Sequence, residues 1–143
     1  DSVALTDRDD VLSLGAARRS ADAAYTHAGL SPEAVDVAEL HDAYSILAAL
    51  SLEACGFAAR GQGIKLGQTG DIGREGRIPI ATLGGFKARG NPVGASGLYQ
   101  AVEIVTQLRG DAGASQVAGA RVGLAQNLGG NGATAVTHIF SVN

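Results

Sequence analysis

Three short runs of this sequence set polar side chains among small ones, the pattern from which a catalytic or binding site can be built. The first is Glu39-Leu40-His41-Asp42-Ala43-Tyr44. The second spans residues 84–97 and contains Lys87, Arg89, Asn91-Pro92, Gly94 and Ser96. The third, residues 126–132, reads Gln-Asn-Leu-Gly-Gly-Asn-Gly. Small residues allow close backbone approach and let main-chain amides face a ligand. The imidazole of His41 can donate, accept or carry a proton. The carboxamide of Asn91 does not titrate in a useful range, so it cannot serve as a general base, but it can donate to a developing oxyanion.

Each of these residues also has a structural reading. His41 can be a buried histidine at a strand end. Asp42 reads as the N-cap of the helix that follows rather than as an acid. Tyr44 either faces a pocket or fills the core, and Asn91 before Pro92 can be turn chemistry. Ser96 reads as a helix cap, because no base stands near it in the sequence to make it a nucleophile. Lys87 and Arg89 read as phosphate partners or solvated surface. His27 and His138 stand outside any motif and read as structural. One cysteine and scattered histidines give no metal-ligand spacing.

These residues need elements to hold them. Residues 11–29 carry an apolar helical face, closed by Gly29 as a left-handed cap. Ser31-Pro32-Glu33 predicts a single short turn. Residues 35–40 predict a strand, and residues 43–55 a mostly apolar, deeply buried helix that contains Cys55. Residues 57–77 read as a long Gly-rich loop. Residues 78–83 predict a short strand, 84–97 a second Gly-rich loop, and 98–108 an amphipathic helix. Residues 120–126 and 133–140 predict strands joined by a hairpin-like turn at 127–132. The order of elements implies a layered α/β domain.

The 143 residues suit one domain with a real core, and the 45% hydrophobic and 17% charged composition is globular. A net charge of −3 without a basic block argues against nucleic acid and against a polybasic membrane surface. The absence of any long apolar run predicts no membrane span. The single cysteine, Cys55, allows no intrachain disulfide and fits a reducing cytoplasm. The chain opens on Asp1 rather than Met, the expectation for a piece of a longer or processed protein or else a matter of numbering, and no signal-peptide pattern opens it.

Taken in order, these runs resemble the carboxy-terminal part of thiolases, most closely the sterol-carrier-protein type and its archaeal relatives. Glu39 to Tyr44 resembles the family's E-L-H-D-x-F motif. Lys87 to Gly97 resembles K-x-x-G-H-P-x-G-A-T-G. Gln107-Leu108-Arg109-Gly110 and Gln126-Asn127-Leu128-Gly129-Gly130 add further similarity, so that matches run from about residue 11 to 140. The resemblance implies a layered α-β-α fold over 1–143, with a mixed sheet ending in an antiparallel strand pair. It implies that the opening strand and the nucleophile-bearing half lie outside this chain.

The resemblance also implies chemistry on acyl-CoA thioesters, with coenzyme A as part of the substrate and no separate cofactor. His41 takes the place of an oxyanion-hole histidine. Asn91 stands where the family has the histidine of G-H-P, and a His–Asn pair resembles the arrangement of ketoacyl-carrier-protein synthase III, which stabilises an enolate. Tyr44, Gly94, Gly129 and Gly130 fall at substrate positions. Ala101 and the 126–132 run lack cysteines that relatives carry. The implied activity is an acyltransferase of the acetyl-CoA acetyltransferase type. Two alternatives stay open: a retro-aldolase working with an OB-fold, zinc-ribbon acyl-CoA-binding partner, and a non-catalytic CoA-binding or scaffold subunit. The implied partners are an amino-terminal thiolase half or second subunit, in an oligomer.

Overall fold

Strand β2 (Val122–Gly129) sits at the centre of a mixed sheet, parallel to β1 (Val37–Glu39) on one side and antiparallel to β3 (Thr134–Ser141) on the other. The computed structural model describes residues 1–142. All of β1 is buried, as expected for a parallel strand covered on both faces. Its side chains alternate between two helical layers. Ala38 packs in a core with Ala21, Tyr25, Leu52 and Cys55, whereas Val37 packs with Ile104, Val117 and Ala125. Helices α1 (Gly15–Ala28) and α2 (Ser45–Ala54) supply the first layer, and α5 (Ser96–Arg109) the second. The α-β-α layering and the terminal antiparallel pair agree with the expectation.

Close approach between the α5 layer and the sheet depends on Gly123, where a Cβ would collide with the side chain of Ile104. Helix α1 ends at Gly29 in the left-handed region, φ +66°, as its sequence predicts. Its start is later than expected, at Gly15, and residues before it form a short 3₁₀ turn at Leu5–Asp7. Pro32–Ala34 is a 3₁₀ turn, in agreement with the Ser-Pro-Glu signal.

Several local expectations are corrected. Residues 57–77 contain α3 (Gly63–Gln68), which packs closely on α2 because Gly63 has no side chain against the carbonyl of Ala49. The second Gly-rich loop contains α4 (Gly85–Arg89). Residues 78–83 form no strand; Ile80 alone makes an isolated parallel bridge to Ala38. Ala81, at φ +48°, turns the chain away from the sheet immediately afterwards. Residues 127–129 belong to β2, paired with Val136, Ala135 and Thr134, and the turn is confined to the positions beyond them. There Gly130, Asn131 and Gly132 all have positive φ.

Helix α2 is not buried throughout. Leu52 is 2% exposed but Ile46 is 54% exposed. With apolar residues on all sides, only one face can reach the core. The other lines an apolar groove of about 390 Å³ with Leu12, Ala49 and Ile64. No helix among the described residues is long and apolar enough to cross a membrane.

Candidate active site

The parallel register places His41. Glu39 pairs with Ala125, so two residues further along each strand His41 comes beside Asn127. Nδ1 of His41 lies 2.8 Å from Oδ1 of Asn127, and the main-chain N–H of Leu128 points at the same nitrogen from 3.4 Å. Nε2 has no hydrogen-bond partner among the described residues, so it is the free end of the ring. Leu128 therefore spends its amide on the imidazole, although sequence reasoning offered the whole 126–132 run as donors to a ligand.

Phe86 fixes the ring from the side, edge-on at 4.7 Å between centroids and 74° between planes. Asp42 puts it there. Asp42 does not cap α2, whose N-cap position is Tyr44; its Oδ1 accepts the Phe86 N–H at 3.1 Å, at the start of α4. A Cβ on Gly85, which has φ +58°, would run into that carboxylate. Thus the small residue of the second run serves the acidic residue of the first.

Behind Phe86 lies a buried ionic cluster. The Arg89 guanidinium sits 4.8 Å from the Phe86 ring centroid. Its Nη1 is 2.7 Å from Glu103 Oε1 of α5 and 3.6 Å from Glu39 Oε2 of β1. Arg89 is thus neither solvated surface nor a free phosphate partner, unlike exposed Lys87. Burial, then the like charge of the neighbouring Glu103, push the Glu39 carboxyl up to about 9 against the opposing pull of Arg89. Burial beside a second carboxylate thus favours the protonated form of Glu39.

Asn91 is held on its acceptor side. Oδ1 accepts the Ser96 hydroxyl at 2.9 Å and the Val93 N–H at 3.2 Å, which leaves the amino group as the unspent donor of an exposed side chain. Ser96 is itself the first residue of α5, not a cap preceding it. Val93 has φ +48°, a rare conformation for a β-branched residue. Strain of this kind costs roughly 1–3 kcal/mol and persists only where surroundings impose it.

The two motifs meet through α5. A Cβ on Gly97 would lie 3.4 Å from Asn127 Cβ, so the first turn of α5 packs on the residue that holds His41. Asn91 is joined to that turn through Ser96. Of the other candidates, Tyr44 is 71% exposed beside His41 in sequence, Gly94 stands in open space, Gly129 ends β2 against Thr134, and Gly130 lies in the exposed turn. The apolar groove on α2 includes neither His41 nor Asn91 in its lining. His27 and His138 are exposed. Cys55 is buried, and burial raises its thiol far above the ordinary range, leaving it inert.

Sequence reasoning did not single out Asn127, Phe86, Glu39 or Glu103. The signal at Asn127 was its match in position after Ala125 to His41 after Glu39, visible only once the strands are paired.

This fold and site define the class. Residues 1–142 match the family described as thiolase C-terminal domain-like, and the chain belongs to it. It is 44% identical over 140 residues to an acetyl-CoA acetyltransferase of Methanothermobacter thermautotrophicus, covering 98% of this chain and 37% of that protein. It is 44% identical over 120 residues to sterol carrier protein 2 of Homo sapiens, covering 84% of this chain and 22% of that protein. Among solved structures, an Ltp2-ChsH2(DUF35) aldolase shares the fold with a TM-score of 0.82 at 24% identity, over 94% of this chain and 34% of that one. The chain thus spans between 22% and 37% of the length of these curated relatives.

Proposed function

We propose that this chain carries the enolate-stabilising half of a thiolase-like active site that makes or breaks a carbon–carbon bond in acyl-CoA thioesters, of the acetyl-CoA acetyltransferase type. The observation that carries this reading is the state of two donors. His41 is clamped at Nδ1 with Nε2 free, and Asn91 is clamped at Oδ1 with its amino group free. In this reading both free ends donate to a thioester oxygen as negative charge develops on it, which is where fixed donors contribute most to rate.

In this reading the acyl-accepting cysteine comes from an amino-terminal thiolase half or a second subunit. This chain covers 37% of the archaeal relative, and the remainder of that protein leaves room for such a half. The exposed apolar side chains of Ile46 and Ile64, which line the groove on α2, offer it a surface. Gly94, Gly129 and Gly130 would border the acyl-CoA chain, and the assembly would be an oligomer in the cytoplasm.

His41→Ala in the full-length protein tests the reading. The expected result is a fall in turnover of about 10²–10³-fold with an unchanged fold by circular dichroism. Undiminished acyl-CoA turnover in that variant would remove His41 from the mechanism.

Asn91 and Ala101, which depart from the His and Cys that the family resemblance implies at those positions, favour a second reading: retro-aldol cleavage of a hydroxyacyl-CoA beside an OB-fold, zinc-ribbon partner. Replacing the nucleophilic cysteine of the other half separates the two, because only acyl transfer requires it. Binding of CoA without any turnover would instead mark a scaffold.

A further inference from the structure

The Leu128 amide decides which nitrogen of His41 carries the proton. A main-chain N–H can only donate, and this one is aimed at Nδ1 from 3.4 Å. Nδ1 must then present its lone pair. The Asn127 carboxamide reaches the same nitrogen at 2.8 Å. Its oxygen and amino group have nearly the same shape. Half a turn of the amide brings Nδ2 to Nδ1 as a second donor, in place of two lone pairs facing each other.

From these contacts we infer that Asn127 is a positioning residue: with Leu128 N–H it holds His41 in the tautomer protonated on Nε2. Strand β2 fixes the Asn127 backbone, and Gly97 of α5 packs against its side chain. Phe86 closes the flank of the ring. The imidazole can neither rotate away nor exchange tautomers without breaking these contacts. The inference rests on the acyl-thioester reading only for what Nε2 does. An oxyanion needs an N–H there, and the opposite tautomer would face it with a lone pair. A carboxylate at position 127 could only accept, so it would draw the proton to Nδ1.

The test uses the full-length protein labelled with ¹⁵N at histidine, with the His41 signals identified by their loss in His41→Asn. In the neutral ring, Nε2 is expected to show the shift of a protonated nitrogen and Nδ1 that of an unprotonated one. Asn127→Asp, nearly the same size, is expected to place a proton on Nδ1 and to lower kcat about 10²-fold or more, with little change in KM for the acyl-CoA. A neutral wild-type ring protonated on Nδ1 overturns the inference, and that measurement stands even if the variant fails to fold. An Asn127→Asp spectrum identical to wild type overturns it equally. The spectra need no substrate, so the expected shifts together with absent acyl-CoA turnover would sink the proposed function and leave the positioning role intact.

Discussion

Arg89 and Glu103 meet at 2.7 Å against the ring of Phe86, which leaves Glu39 the less closely paired of the two carboxylates that face this guanidinium. Glu39 comes only within 3.6 Å of the same guanidinium. One cation balances two buried carboxylates poorly in a low dielectric, so burial favours the protonated form of Glu39. The site's flanking aromatic therefore rests on a cluster whose charge state depends on pH.

That cluster gives stability a definite pH dependence. The Glu39 carboxyl is raised from an ordinary 4.5 to about 9 in the folded protein. Between those values the native state holds a proton that the unfolded chain has released. Its contribution is fully present below 4.5 and is lost progressively as pH rises toward 9. Melting temperature is expected to fall between about pH 6 and pH 8.5. In Glu39→Gln, neutral at every pH, that fall is expected to flatten, and an undiminished slope would count against a protonated Glu39.

Arg89→Leu removes the one cation that, among the described residues, lies within ion-pair distance of Glu39 and Glu103. The expected loss is about 3–5 kcal/mol, read from denaturant midpoints. Adding Glu39→Gln and Glu103→Gln to the same background is expected to recover most of it, because the cost lies in uncompensated charge. No recovery would mean that Arg89 acts mainly through packing on Phe86.

Gly85→Ala tests the link between the first two motifs. The new Cβ would collide with the Asp42 carboxylate and strain a positive-φ position. A destabilisation of about 2–4 kcal/mol is expected, with the Asp42 bond to Phe86 N–H broken. Near-wild-type stability, measured by thermal melting, would show that Asp42 can swing aside without cost.

Asn91→Asp separates loop structure from donation. The carboxylate can still accept from Ser96 and Val93, so stability should change by less than about 1 kcal/mol. It has no amino group to give, so turnover should fall about 10²-fold. Equal activity would mean that Asn91 only shapes the turn.

Much of the architecture is local and therefore legible in the sequence. Gly29 marks the end of α1 because a left-handed cap excludes most side chains. The alternation of burial around Val37 and Ala38 follows from the strand period of two. The antiparallel pair is signalled by the Asn-Gly turn at 131–132. His41 and Asn91 stand out by residue type within small-residue runs, and four ordered motifs indicate the family.

The partners of those residues are another matter. His41 meets Asn127 across 86 positions and Asp42 meets Phe86 across 44. No periodicity within one segment encodes such a contact; it arises from the register between β1 and β2 and from the seating of α4 and α5. For the same reason Arg89 looked like surface, since burial is a property of what covers a side chain. By itself the sequence determined which groups could act and which elements carry them. Only the tertiary structure decided which lone pairs and amides are already spent, because hydrogen bonds between distant strands form only when the chain closes on itself.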